Sequence, residues 1–348
     1  MRRLPVFFVV DCSESMVGDN LKKMEDGLQA IVRALRADPH ALETVYVSVV
    51  AFAGVARTIA PLVELVSFYT PRLPLGGGTN LGAALGALMR EIDKSVRRTT
   101  AEQKGDWKPV VYLLTDGRPT DDPKPAIDEW NAKYAKKATM VAIGLGKSAG
   151  FSSLRSLTQH VLVFEDSQEG DFRKFVNWVT ASVVAQSKSV GEGAEAQALP
   201  KLDESILSLV KESPSMADEA CVTLVGRCQK TRKPYIIKYE RAMQDVATRD
   251  FKLQVARYEI SGCYPLDEDY FAWSDPRSTN LTVSTSELVG SPGCPHCGNI
   301  CAFAVCGCGK LMCINGPQEA VCPWCEKDVA FAPAPLDAGG FDVARGRG

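Results

Sequence analysis

The chain has 348 residues, 45% of them hydrophobic, which is enough material for about two packed domains and argues against wholesale disorder. Its 42 acidic and 40 basic residues are interspersed and give a formal net charge of −2, which offers no electrostatic attraction for nucleic acid or an anionic membrane surface. The first apolar run is too short to span a bilayer and lacks a signal-peptide cleavage site, and no stretch approaches about 18 apolar residues. We therefore expect a cytoplasmic protein that binds neither membranes nor nucleic acid.

Residues 1–187 alternate between short, continuously apolar runs and amphipathic stretches. Uninterrupted apolar runs are typical of parallel strands buried on both faces, whereas apolar residues spaced by three and four indicate helices. The runs lie at 6–10, 45–53, 110–114, 139–143 and 161–164, and the helical stripes lie within 21–35, 81–92 and 172–183. This order predicts an α/β fold with a doubly wound, mostly parallel sheet, in which ligands bind beyond the carboxyl ends of the strands.

Composition divides the remainder of the chain into three parts. Residues 188–219 begin with a small, polar, unpatterned stretch, and we predict a linker there. Residues 220–331 are richer in β-forming side chains and end in a cluster of cysteines, which predicts a small β-rich domain. Residues 332–348 are rich in Gly, Pro and Ala, and we predict a flexible tail.

Polar side chains follow three of the predicted strand regions. The first apolar run ends in DCSES, where Asp11, Ser13 and Ser15 occupy every second position, so that in extended backbone their side chains point the same way. Thr79 lies in GGGTN, directly before the second helical stripe, and Asp116 lies in TDG after the run at 110–114. Because the carboxyl ends of parallel strands meet at one edge of a sheet, we expect these five side chains to converge there.

Two carboxylates and three hydroxyls form a set of hard oxygen donors, which suits Mg²⁺, or Mn²⁺, in an octahedral site that keeps some waters. With so few negative charges, a cation bound there would retain positive charge and favour a carboxylate from a partner protein. Ser, Thr and Asp after strands also commonly cap the next helix. The occurrence of three such segments in this order favours the metal site over simple capping.

The segments DCSES, GGGT and TDG together resemble the metal-ion-dependent adhesion site of von Willebrand factor A domains, and the resemblance covers roughly residues 1–187. It implies that the two serines and Thr79 coordinate the metal, that the two aspartates bind it directly or through water, and that a partner carboxylate completes the coordination. It also implies a docking module rather than an enzyme. Cys12, inside the loop, is interpreted as a small buried filler.

Two enzymatic functions at the same sheet edge remain as alternatives. In GLGKSA, Gly144 and Gly146 follow a predicted strand, and Glu165 and Asp166 lie about twenty residues further on, which is the layout of a dinucleotide site in an NAD(P)-dependent oxidoreductase. We favour a glycine-rich turn, because this segment falls late in the sheet and the helix after it is short.

The second alternative is a metal-dependent phosphatase that uses Asp11 and Asp116. Such an enzyme would need more carboxylates, or a nucleophile beside a base, and the chain contains only 3 histidines. We therefore favour a non-catalytic role.

Cysteines concentrate near the end of the second region. The pairs CPHC at 294–297 and CPWC at 322–325 have the spacing of zinc ligands, and without an export signal the chain is more suited to metal binding than to disulfides. The sequence predicts one structural Zn²⁺ site formed by four thiolates in tetrahedral geometry. Its ligands would be Cys294, Cys297, Cys322 and Cys325.

The cysteines between these pairs leave open whether a second zinc binds. Cys306, Cys308 and Cys313, with Cys301 nearby, could form a second site or exchange with the first. A redox role is the competing interpretation, because both pairs resemble thioredoxin-type motifs, but that chemistry needs a helix beginning at the first cysteine. The remaining cysteines, Cys221, Cys228 and Cys263, are predicted to be buried or incidental, and His296 is predicted to be a spacer.

An A domain followed by FAVCGCGKLMC and CPWC resembles the TerY family of bacterial tellurite-resistance proteins, over nearly the whole chain. The resemblance implies an intracellular regulatory adaptor that works beside a Ser/Thr protein kinase and a PP2C-type phosphatase. In that setting the A domain would dock partners through its metal, and the zinc module would be a second interaction surface.

Overall fold

The computed structural model describes residues 2–116, 118–145, 151–164, 171–192, 207–209, 221–247, 252–277, 281–316, 319–331 and 340–346. The chain forms two compact units, residues 1–216 and 217–348, which are described separately. Within the described residues, no helix is both long and apolar enough to cross a membrane.

The strands of the N-terminal unit are β1 (Leu4–Asp11), β2 (Val45–Phe52), β3 (Ala56–Glu64), β4 (Val110–Thr115), β5 (Thr139–Leu145), β6 (Val161–Phe164) and β7 (Leu207–Leu209). They form one sheet in the order β3-β2-β1-β4-β5-β6-β7. Strands β1, β2, β4, β5 and β6 are parallel, and β3 and β7 are antiparallel at the two edges. The five parallel strands contain the five predicted apolar runs, and their buried side chains explain why those runs are uninterrupted.

Helices cover both faces of this sheet, which confirms the predicted doubly wound α/β fold. They are α1 (Asp19–Arg36), α2 (Pro39–Thr44), α3 (Leu81–Ser95), α4 (Lys124–Lys133), α5 (Phe151–Leu157) and α6 (Asp171–Glu192). Side chains of α3, α4 and α5 pack with Phe7 and Val9 on one face. Side chains of α1 and α6 meet Phe8 and Val10 on the other, as expected when successive strand residues point to opposite faces.

The structure differs from the predicted linker at 188–219 in two places. Helix α6 continues to Glu192, and β7 pairs with β6 at the edge of the sheet. A polar contact lies near the end of α6: the buried hydroxyls of Ser187 and Thr44 lie 2.6 Å apart. Hydrophobic periodicity therefore gave no indication that the helix extends beyond residue 187.

The C-terminal unit is β-rich, as predicted. Its main sheet has the order β12-β10-β9-β8-β14-β13, and two short antiparallel pairs, β11–β17 and β15–β16, accompany it. The elements are β8 (Cys221–Arg227), β9 (Pro234–Ala247), β10 (Lys252–Pro265), α7 (Asp269–Trp273), β11 (Thr282–Ser284), β12 (Leu288–Val289), β13 (Cys301–Val305), β14 (Leu311–Ile314), β15 (Glu319–Val321), β16 (Asp328–Ala330) and β17 (Asp342–Ala344).

The predicted flexible tail at 332–348 contains an ordered strand. Val343 in β17 is buried in the main core of the unit, and the Gly346 N–H donates to the carbonyl of Thr223 at 2.7 Å. The strand could not be predicted, because three residues are too few to give a periodic pattern and the surrounding sequence is rich in Gly, Pro and Ala. The stretch at 332–339 lies outside the described residues.

Candidate metal sites

The first candidate site begins where β1 ends. Asp11 is fully buried, and one of its oxygens, Oδ1, accepts a hydrogen bond from the Ser13 backbone N–H at 2.9 Å. The other, Oδ2, accepts from the Thr115 hydroxyl at the end of β4, at 2.5 Å. The pairing of β1 with β4 places these two residues side by side, so the sheet itself sets the position of the carboxylate.

Hydrogen bonds connect four of the five predicted ligands. The Ser13 and Ser15 hydroxyl oxygens lie 2.9 Å apart, and the Ser15 hydroxyl donates to Asp116 Oδ1 at 2.8 Å. Asp116 follows β4 directly, so the first turn and the end of β4 meet at one rim of the sheet. Asp11, Ser13, Ser15 and Asp116 therefore come together as the spacing predicted.

Thr79 belongs to a loop that is tied to the same turn. The Gly76 N–H donates to the Cys12 carbonyl at 3.0 Å, and Gly78 has a φ of 102°, which glycine adopts without steric cost. The Thr79 side chain is 1% exposed, and its hydroxyl oxygen has no hydrogen-bond partner among the described residues. A buried hydroxyl almost always has a partner, so an unpaired one in a loop that is bonded to the turn after β1 fits an oxygen that coordinates a cation.

Burial raises the pKa of Asp11 to about 6, although hydrogen bonds from Thr115 and Ser13 oppose the shift. An ionised carboxylate in so dry a place is costly unless a positive charge compensates it. A divalent cation among these oxygens would supply that charge. The donor chemistry, the unpaired hydroxyl and the buried carboxylate all agree that the residues present fit a hard metal ion.

The cysteines form two separate four-thiol groups, and this corrects the predicted zinc site. Within each group the ligand sulfurs all lie within 4.8 Å of one another. We name the first the core cysteine site and the second the outer cysteine site. The core cysteine site consists of Cys228, Cys294, Cys297 and Cys313, and the outer cysteine site consists of Cys306, Cys308, Cys322 and Cys325.

The predicted set of Cys294, Cys297, Cys322 and Cys325 is therefore wrong as a single site, because its two pairs belong to different groups. Cys313, predicted as an optional ligand beside Cys306 and Cys308, belongs with the first pair. The chain crosses between the sites: β14 leads from the outer site's Cys308 to the core site's Cys313.

Sulfur separations agree with tetrahedral coordination. Cys297 and Cys313 Sγ are 3.7 Å apart, Cys306 and Cys325 Sγ are 3.8 Å apart, and Cys308 and Cys322 Sγ are 3.9 Å apart. Four sulfurs at about 2.3 Å from a tetrahedral zinc would be separated by about 3.8 Å. Every cysteine of the chain is free of disulfide bonds. Both groups thus have the ligand type and the spacing of a closed metal site.

Each site is framed by two tight turns, here called knuckles, that share one backbone pattern. In the three longer ones, the N–H of the first cysteine bonds to the carbonyl five residues later: Cys228 to Lys233, Cys294 to Asn299 and Cys322 to Lys327. In the fourth, Cys306 bonds to Lys310. A left-handed residue closes each of the four turns: Arg232, Gly298, Gly309 and Glu326.

Cys228 is the ligand that sequence reasoning missed. Its knuckle, CQKTRK, has Thr231 where the other long knuckles have a second cysteine, so it does not read as a CxxC pair. Gln229, one residue on, donates its N–H to Cys313 Sγ at 3.2 Å, which brings β14 to this turn. A lone cysteine followed by basic and turn-forming residues between two strands was the signal available.

The redox interpretation of the CxxC pairs does not fit this geometry. Cys294 and Cys322 begin tight turns, not helices, so neither has the helix N-terminus that lowers a thiol pKa in thioredoxin-type sites. His296 points its Nε2 at the Pro234 carbonyl, 2.7 Å away, and is not among the ligand groups. Cys221 and Cys263 are half-buried and also lie outside both groups.

The enzymatic alternatives gain no support from the described residues. Gly144 lies in β5, but Gly146, Glu165 and Asp166 fall outside the described residues, so the dinucleotide motif stays a prediction. For the phosphatase, His40 precedes β2 and His160 precedes β6, and both therefore lie at the amino ends of the strands. Neither can act as a base beside Asp11 and Asp116 at the carboxyl ends.

Comparison with family models agrees with the division into two units. A model of the von Willebrand factor type A domain matches residues 6–178, and a model of the TerY-C metal binding domain matches residues 218–348. The N-terminal unit is therefore a von Willebrand factor type A domain. Because a TerY-C metal-binding domain follows it, the predicted resemblance to the TerY family is confirmed. Comparison with curated proteins gave no match.

Solved structures match this chain only at low identity and with TM-scores below 0.5. Proximal thread matrix protein 1 from the mussel byssus is 17% identical, with 53% of this chain and 48% of that chain covered and a TM-score of 0.38. A form of that protein described as having a zinc-occupied MIDAS motif is 20% identical, with coverages of 51% and 46% and a TM-score of 0.34. A von Willebrand factor type A protein from Catenulispora acidiphila is 15% identical, with coverages of 81% and 61% and a TM-score of 0.41.

The chain thus spans about half the length of the mussel proteins it matches. At TM-scores below 0.5 these likenesses add nothing to the assignment of the metal or of a partner.

Proposed function

We propose that the chain is a non-catalytic cytoplasmic adaptor that binds partner proteins through a divalent cation held at the rim of the N-terminal sheet. Asp11, Ser13, Ser15, Thr79 and Asp116 would hold Mg²⁺, or Mn²⁺, and the bound ion would offer a coordination position to an Asp or Glu of the partner. The two cysteine sites would each hold Zn²⁺ and would stabilise the second unit as a further interaction surface.

The buried, unpartnered hydroxyl of Thr79 is the observation that carries this proposal. If the polar side chains after β1 and β4 only capped turns, that hydroxyl would have a hydrogen-bond acceptor, as Ser13 and Ser15 do. Two carboxylates and three hydroxyls would supply five ligands, which leaves an octahedral divalent ion one position for a further ligand. This favours capture of a foreign carboxylate over hydrolytic chemistry, which needs a positioned base.

The proposed partners are a Ser/Thr protein kinase and a PP2C-type phosphatase, in a bacterial signalling module linked to resistance to tellurite or other stress. The support for these partners is the TerY resemblance, together with the match to the TerY-C domain. A chain with a docking domain and a second, metal-binding unit suits a protein that binds two partners at once.

Affinity purification from a bacterial lysate tests the proposal. The zinc-loaded wild type would be immobilised in buffer with Mg²⁺ or in buffer freed of Mg²⁺ without a chelator, so that zinc stays bound. We expect a kinase or a PP2C-type phosphatase to be captured only when Mg²⁺ is present. We expect the Asp11→Ala variant to capture neither protein. Captured proteins would be identified by mass spectrometry.

Asp26→Ala is the matched control, because it removes an exposed acid of α1 that is not among the predicted ligands. Circular dichroism would establish that Asp11→Ala is folded, and Ser13→Ala provides a milder variant of the same site. Capture that ignores both Mg²⁺ and the Asp11 substitution would contradict docking through the ion.

A further inference from the structure

Thr120 holds the backbone of Thr79 from both sides. The Thr79 N–H donates to the Thr120 hydroxyl at 2.8 Å, and the Thr120 N–H donates to the Thr79 carbonyl at 2.9 Å. The Thr120 hydroxyl in turn donates to Asn80 Oδ1 at 2.9 Å. Both backbone groups of Thr79 and the side chain of its neighbour are therefore fixed by one residue outside the predicted ligand set.

Asn80 anchors the same loop to the sheet. Its backbone N–H donates to the Ala53 carbonyl at 2.8 Å, and its side-chain amide donates to the Gly54 carbonyl at 2.5 Å, directly after β2. Thr120 thus joins a loop that is already fixed at one end to the connection between β4 and α4. That connection also begins with Asp116.

One connection, residues 116–123, therefore carries one ligand and positions another. Asp116 meets the first turn through Ser15, and four residues later Thr120 holds Thr79. Within the part of the chain that the structure describes, the Thr79 side chain has no hydrogen bond of its own that would fix its direction. Its orientation depends on the backbone that Thr120 holds.

We propose that Thr120 is a positioning residue for the metal site: by holding the Thr79 backbone on both sides, it sets the Thr79 hydroxyl in place. This inference rests on the proposed function, because it requires that the rim binds a divalent cation. Removal of a group that orients a metal ligand typically weakens metal binding by about 10- to 100-fold.

Mn²⁺ binding to the full, zinc-loaded chain, measured by electron paramagnetic resonance without any partner, tests the proposal. We expect Thr120→Val, which keeps the shape but removes the hydroxyl, to weaken Mn²⁺ binding by about 10- to 100-fold. Thr120→Ser retains the hydroxyl and both of its hydrogen bonds, and its affinity for Mn²⁺ is expected to lie within about threefold of that of the wild type. Thr58→Val is the matched control, because this half-buried hydroxyl in β3 bonds to Glu91 and lies outside the site.

A double-mutant cycle with Thr79→Val separates positioning from a general structural role. If Thr120 acts through Thr79, then Thr120→Val should weaken Mn²⁺ binding no further once Thr79 has lost its hydroxyl. Thr120→Ala would replace Thr120→Val if the valine variant failed to fold by circular dichroism.

The outcomes distinguish the two proposals. If the wild type binds Mn²⁺ and Thr120→Val binds it with equal affinity, the positioning role is overturned, whereas the proposed metal site is not. Equal losses in the presence and absence of the Thr79 hydroxyl would also overturn it, because the effect would not pass through Thr79. A wild type that binds no Mn²⁺ or Mg²⁺ would overturn the proposed function and the inference with it.

Discussion

At the rim of the N-terminal sheet, the oxygen ligands lie on a framework of five parallel strands that is complete without them, whereas in the C-terminal unit the cysteines are part of the core itself. Cys228, Cys294 and Cys313 belong to the same packed cluster as Val222, Leu224 and Tyr235. We therefore expect the first unit to fold with or without its cation. We expect the second unit to need metal at its cysteine sites in order to fold.

The two cysteine sites also differ from each other. Three of the four core-site thiols are buried, and the fourth, Cys297, is half-buried. The site joins the β8–β9 turn to β14. In the outer site Cys308 is exposed, and the surrounding cluster is small: besides the cysteines, its buried members are Ala304, Met312 and Ala320. The core site organises the main sheet, and the outer site organises the β15–β16 hairpin.

The largest effect should come from removing zinc altogether. Structural zinc sites contribute about 10–16 kcal/mol of apparent binding free energy at pH 7, more than a small domain has to spare. We expect a strong chelator to unfold the C-terminal unit while the N-terminal sheet persists. Amide hydrogen exchange, read by mass spectrometry on the metal-free chain, would show full exchange in β8–β14 and protection in β1, β2 and β4. Equal protection in both units would remove the contrast drawn above.

Individual substitutions should rank the two cysteine sites. Cys228→Ser breaks the core site and is expected to release that zinc and open the main sheet of the second unit. Cys308→Ser breaks the outer site at its exposed ligand and is expected to lower zinc content from two per chain to one while that sheet stays protected.

Zinc content by mass spectrometry under native conditions, combined with hydrogen exchange, would check this order. Cys221→Ser is the control, because Cys221 lies outside both sites. A greater loss of structure in Cys308→Ser than in Cys228→Ser would reverse the assignment of core and outer roles.

The meeting of four rim residues could be predicted from the sequence because each of them lies at or shortly after the end of a strand. Asp11, Ser13 and Ser15 follow one strand with a period of two, and Asp116 directly follows another, so parallel pairing alone brings them together. Thr120 could not be predicted in the same way. Its role depends on how two loops, separated by about forty residues, meet above the sheet, and no periodicity records that contact.

The cysteine sites show the opposite limit. Counting CxxC pairs located the right segment but joined the wrong pairs, because ligand pairing depends on which strands lie side by side. β14 runs parallel to β8, and this pairing carries Cys313 to the knuckle that holds Cys228. Nothing in the spacing of the cysteines indicates that Cys228 and Cys313, more than eighty residues apart in the chain, belong to the same site.

A smaller effect should accompany metal binding to the N-terminal unit. A ligand present at 100 times its dissociation constant stabilises the folded state by about 2.7 kcal/mol. We expect saturating Mg²⁺ to raise the melting temperature of the N-terminal transition by several degrees, and to leave that of Asp116→Ala unchanged. Calorimetry on the zinc-loaded chain would measure the melting temperature of this transition. If Mg²⁺ proved essential for the N-terminal transition to occur at all, the sheet could not be called complete without its metal.

The smallest effect concerns the knuckles, and it tests whether their backbone or their metal determines their shape. Glu326 has a φ of 60°, in the left-handed region where residues with a side chain cost about 1–2 kcal/mol relative to glycine. Its carboxylate also pairs with Arg232 at 2.7 Å, but both side chains are exposed, and such a pair contributes about 0.2–1 kcal/mol.

The backbone effect is the larger of the two, so we expect Glu326→Gly to stabilise the outer site slightly. Its zinc should be retained against a chelator a few times longer than in the wild type. Glu319→Gly, in the neighbouring β15, is a control in which glycine replaces an exposed glutamate on a strand, where it should destabilise. Faster zinc loss from Glu326→Gly would mean that the ion pair between the two knuckles, and not the left-handed turn, governs how firmly the outer site is held.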